Sequence, residues 1–160
     1  MKAAVITISD GVAEGTREDE SGDLLAELLE GEGFAVERRV VADVQAQIAA
    51  TIKQLVAHET RLILTTGGTG VAPRDVTPEA TESVLERRIP GISEAMRTFA
   101  MAQTPHGMLS RGVAGVRDRT LIVNLPGSPG GARDGFHVLK PSLRHALELL
   151  AGEATAHRQT

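Results

Sequence analysis

Cysteine, tyrosine and tryptophan are all missing from this chain of 160 residues, and phenylalanine occurs three times. Without cysteine there can be no disulfide and no thiolate metal site. With so few rings, no surface can stack a run of nucleobases. Basic residues are outnumbered, 17 Lys and Arg against 21 Asp and Glu, for a formal net charge of −4. A duplex-binding face needs the opposite balance because it neutralises phosphates, so no nucleic-acid partner is expected. A membrane partner is not expected either. Apolar runs such as Leu121-Ile122-Val123 fall far short of the roughly 20 residues of a spanning helix. Met1-Lys2 leads straight into an apolar stretch without a secretory pattern, and the expected location is cytoplasmic.

Apolar material is nonetheless ample, at 41% of residues, and the length suits one domain around one core. Ala3 to Ile8 reads as a buried strand. Leucines 24, 25, 28 and 29 mark one face of a helix from Ser21 that stops at Gly31 to Gly33. Phe34 to Val41 and Leu62 to Thr65 read as strands, with a helix over Val44 to His58 between them. Thr77-Pro78-Glu79 is a helix start with Thr77 as the capping hydroxyl, and the helix is expected to run until Ile89 to Gly91 breaks it. Another helix is expected over Ile92 to Gln103, with Met96 and Met101 in the core. Gly112 to Val116 and Thr120 to Val123 read as strands joined at Arg117-Asp118, so that one strand runs antiparallel. Ser142 to Leu150 is again helical, with a flexible tail after about 151. Alternating strands and helices predict an α/β fold, a three-layer α/β/α sandwich with a mostly parallel sheet.

In such sheets ligands bind beyond the carboxyl ends of the strands. The polar and glycine-rich segments fall there: Ser9-Asp10-Gly11, Ala42-Asp43, Thr66-Gly67-Gly68-Thr69-Gly70 and Pro126-Gly127-Ser128-Pro129-Gly130-Gly131. Glycines allow tight turns that bring amides close to a phosphate, and threonine hydroxyls add donors. Read alone, Thr65 to Gly70 is compatible with a plain turn, since it is neither a Walker loop nor a dinucleotide fingerprint. The second loop, with two prolines and three glycines, reads as an anion-binding loop with Ser128 exposed at its tip. Ser110 and Arg111 together suit a dianionic phosphate, or Arg111 is a solvated strand-start residue. His106, His137 and His145 lack metal-ligand spacing and read as surface or packing residues.

Asp43 and Asp75 each precede a helix, and each has a plain reading as a helix-start carboxylate. As a pair they suggest magnesium, which is held by one or two carboxylates plus substrate phosphates. Two carboxylates about 5 Å apart repel by roughly 3 kcal/mol at an effective dielectric near 20, and a divalent cation reverses that sign.

Taken together, Thr65 to Gly70, Pro73 to Ala80, Pro90 to Arg97, Leu109-Ser110-Arg111 and Asn124 to Gly130 resemble the Mog/MoaB family of molybdenum-cofactor biosynthesis proteins. That family is related to the matching domains of gephyrin and the plant Cnx protein. Ile8-Ser9-Asp10 and Asp19-Glu20-Ser21-Gly22 share the likeness, which spans nearly the whole chain. The resemblance implies a homotrimer with a molybdopterin site in each subunit, and transient contact with other proteins of the same synthesis. It further implies magnesium- and ATP-dependent adenylylation of the molybdopterin phosphate. Asp43 and Asp75 match the family's two activity-bearing aspartates. Thr66, Gly67, Gly68, Thr69, Gly70, Ser110, Pro126, Gly127, Ser128 and Gly130 match pterin-phosphate and nucleotide contacts, and Ser9, Asp10 and Arg111 join them as candidates. Many relatives carry asparagine or glutamine where this chain has Ser128. Two rival readings stand beside this one. One is a non-catalytic molybdopterin-binding or carrier protein on the same fold; the other is a nucleotide pyrophosphatase like the CinA proteins, which the short length disfavours.

Overall fold

The computed structural model describes residues 1–152. The expected flexible tail lies, apart from its first residue or two, outside them.

The six strands are β1 (Lys2–Ile8), β2 (Ala35–Val41), β3 (Leu62–Thr66), β4 (Arg87–Arg88), β5 (Ala114–Arg117) and β6 (Thr120–Leu125). The helices are α1 (Asp10–Ala13), α2 (Glu20–Gly31), α3 (Gln45–Ala57), α4 (Thr77–Glu82), α5 (Pro90–Gln103) and α6 (Pro129–Ala151), with a 3-10 turn at Pro105–Leu109. One sheet holds all six strands in the order β2-β1-β3-β6-β5-β4. The pairs β1–β2, β1–β3 and β3–β6 are parallel. β5 pairs antiparallel with both β6 and β4, so it alone runs against the rest.

Alternation along the strands divides the core in two. Ala3, Val5, Leu62, Leu64, Leu121 and Val123 face one way, onto Leu25 and Leu29 of α2 and Phe136, Leu139, Leu143 and Leu147 of α6. Ala4, Ile6, Ile8, Ile63 and Ile122 face the other way, onto Ile48, Ile52 and Leu55 of α3 and Ala80 of α4. The central strands carry apolar residues on both faces because helices cover both. That is the expected three-layer sandwich.

Several local expectations are corrected. α4 ends at Glu82 rather than continuing to Ile89, because the next residues pair with β5: Glu86 N donates to Val116 O at 2.9 Å and Ile89 N to Ala114 O at 2.8 Å. Thr77 is not the cap; the N-cap is Val76, without a side-chain bond. The turn between β5 and β6 is Asp118-Arg119, with Asp118 in the left-handed region at φ 52°. Met101 lies exposed, whereas Met96 is half-buried against the core. The last helix starts at Pro129, some 13 residues before the expected Ser142, and carries Pro141 in its interior. An interior proline removes one helical bond. Four large apolar side chains buried on the same helix, at about 1.5–3 kcal/mol each, outweigh that loss.

Candidate active site

The parallel register brings the carboxyl ends of four strands to one edge: Ile8 pairs with Val41, Thr7 with Thr66, and Thr66 with Leu125. The four glycine-rich or acidic loops leave from that edge, as the sequence predicts. Two of them interlock. Gly67 N donates to Leu125 O at 3.2 Å, and Thr66 Oγ1 donates to Pro126 O at 2.7 Å. An added Cβ at Gly127 would stand 3.2 Å from the Gly67 Cα, a tight contact that would push the two loops apart by a few tenths of an ångström. Gly67 and Gly68 both have positive φ, at 103° and 67°. Thr77, buried at the start of α4, clasps the loop from below: its Oγ1 donates to Gly67 O at 2.9 Å and its N to Gly68 O at 3.2 Å.

Two cavities open on this edge. A polar chamber of about 640 Å³ is lined by Ser9, Asp43, Thr66, Gly67, Gly68, Asp75, Gly127 and Ser128, with Asp19 and Ser21 from the start of α2. An apolar chamber of about 390 Å³ is lined by Thr69, Gly70, Ser110, Asn124, Pro126 and Ser128, with Met96, Arg97 and Ala100 of α5 and His106 of the 3-10 turn. The two chambers share Ser128. Its Oγ caps α6 by accepting from Gly131 N at 3.1 Å. α2 also begins at the polar chamber, where the Asp19 carboxylate accepts from Gly22 N at 3.0 Å and from the Thr7 hydroxyl. Two long helices thus aim their N-terminal amides at the space between the loops, which favours anions there.

Asp43 and Asp75 line the same polar chamber. Asp43 does not cap α3, whose N-cap is Val44. Its Oδ2 accepts from Asp10 N at 2.9 Å, and its own N donates to Asp10 Oδ1 at 3.0 Å. Its Oδ1 lies 3.2 Å from the place of a Cβ on Gly68, and Asp75 Oδ2 lies 2.9 Å from the place of one on Gly70. Both acids therefore flank the same glycine loop. Burial pushes the Asp43 carboxyl above its ordinary range, against its hydrogen bond from the Asp10 amide, and the Asp10 and Asp75 charges push it further up. A cation placed beside it would reverse that shift. Among the described residues no group of three or more His, Cys, Asp or Glu is arranged around a metal position. Two carboxylates completed by substrate phosphates are the arrangement that magnesium takes.

Two candidate contacts, Asp10 and Arg111, are engaged by other side chains or main-chain groups, and a third, Gly130, lines neither chamber. Asp10 lines neither chamber, and Arg74 holds its carboxylate with Nε to Oδ2 at 2.6 Å. That bond, with the Asp43 amide, keeps the Asp10 carboxyl below the usual range. Arg111 is a strut rather than a phosphate hook: Nε donates to Gly70 O at 2.7 Å, Nη2 to Asp75 O at 2.8 Å, and Nη1 pairs with Glu79. Gly130 lines neither chamber and nothing stands within 4 Å of its Cβ position.

Sequence reasoning missed most of the apolar chamber. Its α5 wall is read as an ordinary amphipathic helix, yet Ser93 is the helix's one buried residue. Asn124 is the other omission. It is 4% exposed, its Nδ2 donates to Thr65 and Thr81 hydroxyls at 2.9 Å each, and its Oδ1 accepts from Val113 N at 3.1 Å. A lone asparagine in the apolar run Leu121 to Leu125 was the available signal, since a buried amide needs partners.

The family model for a probable molybdopterin binding domain matches residues 4–145. The chain belongs to this molybdenum-cofactor biosynthesis family. It is 37% identical over 152 residues to the molybdopterin adenylyltransferase of Helicobacter pylori, covering 92% of this chain and 86% of that protein. It is 41% identical over 157 residues to gephyrin of Dictyostelium discoideum, covering 91% of this chain and 22% of gephyrin. Against a bifunctional molybdenum cofactor biosynthesis protein of Chlorobaculum tepidum it spans 50% of the relative. The chain thus spans half or less of these multi-part relatives. Among solved structures, the molybdopterin biosynthesis Mog protein from Mycobacterium ulcerans superposes with a TM-score of 0.90 at 45% identity, covering 93% and 98% of the two chains. A CinA protein from Thermoplasma acidophilum, at 20% identity and a TM-score of 0.64, shares the fold alone. Among the described residues of this family member, no helix is long and apolar enough to cross a membrane.

Proposed function

We propose that this chain is a molybdopterin adenylyltransferase that uses magnesium and ATP, in the cytoplasm. The observation that carries the reading is the pair of chambers meeting at Ser128, with Asp43 and Asp75 on the polar side. A reaction that joins two phosphorylated molecules needs two adjoining berths and a way to bring two anions together. The amides of Gly68 and of the α6 N-terminus, which is capped by Ser128, would hold phosphate oxygens. Asp43 and Asp75 would hold magnesium, which when bound neutralises charge on the triphosphate.

An oxygen of the molybdopterin phosphate attacks the α-phosphorus of ATP. The bond from that phosphorus to the α,β-bridging oxygen breaks, and pyrophosphate leaves with the electron pair. The nucleophile is already an anion near neutral pH, so no general base is required. The protein's part is to orient both ligands and to offset developing charge.

Asp43→Asn and Asp75→Asn should each reduce magnesium-dependent formation of adenylylated molybdopterin by a hundredfold or more, on the order of 3 kcal/mol of transition-state stabilisation, while pterin binding persists. Mass analysis after incubation with molybdopterin, ATP and magnesium gives the answer. Full turnover in both variants rules out the metal assignment. A purified protein that binds pterin but yields no adenylylated product would be a carrier instead. Self-association as a trimer is part of the same reading, supported by the exposed Phe99, Met101, Met108 and Leu109 on α5 and the 3-10 turn. Light scattering on the eluted protein tests it, and a monomer mass would refute it.

A further inference from the structure

Arg74 lies outside both chambers, yet it ties together the segments that carry both acids. Its Nε donates to Asp10 Oδ2 at 2.6 Å, and its Nη2 donates to Asp10 Oδ1 at 3.1 Å and to Asp43 O at 3.3 Å. Asp10 in turn meets Asp43 in both directions, amide to carboxylate and carboxylate to amide. Asp43 is therefore gripped through its N, its O and its Oδ2, and Oδ1 is the oxygen left to face the glycine loop. Arg74 is also the residue before Asp75. Val71 to Arg74 form an exposed segment without helix or strand. At its end Asp75 is closed onto Ala72, N to O at 2.9 Å and Oδ2 to N at 3.0 Å, and its carbonyl accepts from Arg111, so Arg74 supplies the tie from this turn to the loops after β1 and β2. Fastening Arg74 to the loops after β1 and β2 fastens its covalent neighbour beside Asp43.

We propose that Arg74, acting through Asp10, is a positioning residue that sets the spacing of the Asp43 and Asp75 carboxylates for cation uptake. The inference rests on the magnesium reading above and adds residues that do not touch the ligand. Charge supports it as well as geometry. Asp10 brings a third carboxylate to a place that already holds two, and the guanidinium neutralises it, leaving the outward pair to the cation. The planar fork matters: one guanidinium reaches both oxygens of Asp10 and a carbonyl besides, which a lysine ammonium cannot reproduce. A purely structural role is a poor explanation, because the Arg74 side chain is 63% exposed and exposed ion pairs add little to folding stability.

The test is calorimetric titration of the protein with the manganese complex of α,β-methylene-ATP, which cannot undergo the transfer, and with the same analogue in EDTA. For Arg74→Ala the manganese complex should bind about tenfold more weakly or worse, as for other residues that orient metal ligands, while the metal-free analogue binds unchanged. Arg74→Lys should recover only part of the loss. In an Asp10→Ala background, Arg74→Ala should add much less than it costs in the parent, because most of its hold passes through Asp10 and only the 3.3 Å bond to Asp43 O is direct. Melting should stay within about 2 °C of the parent for Arg74→Ala, as befits a surface pair. If Asp43→Asn weakens the manganese complex and Arg74→Ala does not, the positioning role is wrong and the metal reading survives. An equal loss for the metal-free analogue makes Arg74 a direct nucleotide contact and overturns the proposal. If Asp43→Asn changes nothing, the metal reading itself fails, and the positioning role with it.

Discussion

Replacing Gly67 by alanine tests the feature on which the site's shape depends. Gly67 has φ 103°, beyond the small left-handed region open to other residues, and its added Cβ would stand 2.2 Å from Ile8 O. That oxygen belongs to the main chain at the buried end of β1, so no side chain can rotate away to make room. Backbone strain of about 1–3 kcal/mol and overpacking of about 1–3 kcal/mol combine to a central value of ~4 kcal/mol. Total stability for a domain is about 5–15 kcal/mol, so the loss is severe. At about 2–4 °C per kcal/mol for a chain of this size, melting should fall by ~8–16 °C. Gly130→Ala is the matched control, because nothing lies within 4 Å of its Cβ position and its φ is not positive. It should melt at or slightly above the parent. Scanning calorimetry on the three proteins decides the matter. A Gly67→Ala melting point within about 2 °C of the parent would show that the loop has room to relax, and the argument from close approach would be refuted.

Thr77→Val keeps the shape and removes the hydroxyl donor to Gly67 O, and should cost about 1–3 kcal/mol in urea unfolding because it strands a buried carbonyl. Asn124→Leu strands the Val113 amide and weakens the Thr65 and Thr81 hydroxyl contacts; about 3 kcal/mol or more is expected, and a loss below about 1 kcal/mol would mean that water replaces the amide. The Asp43 carboxyl is raised in the folded state, mainly by burial, so the folded protein binds a proton there more readily than the unfolded chain. Its contribution to stability is present below the unfolded value and is lost as pH rises through the folded value. Asp43→Asn should therefore be more stable than the parent at pH 7 without added metal; a lower urea midpoint would contradict this. Glu79 runs the other way, because Arg111 holds its carboxyl below the ordinary value. Its contribution is present above the unfolded value and lost as pH falls through the folded one, so Arg111→Met should flatten the acid limb of a stability-against-pH curve.

Period and punctuation determined much of this protein without reference to tertiary contact. The apolar strands, the helix over Gln45–Ala57 and the glycine loops at strand ends are legible because burial on both faces and tight turning each demand particular residue types at short range. Sequence also singled out Asp43 and Asp75, since carboxylates beside phosphate-suited loops point to a cation. What the local pattern lacked was any knowledge of partners. It began the last helix only at Ser142, after Pro141, whereas packing against the sheet carries that helix from Pro129 through the proline. It offered Asp10 and Arg111 to a ligand, but donors and acceptors from distant loops occupy them first: Arg74 holds Asp10, and Gly70, Asp75 and Glu79 hold Arg111. Whether a charged side chain binds substrate or braces the frame depends on which groups reach it across the fold, and those distances exist only once the chain has closed on itself.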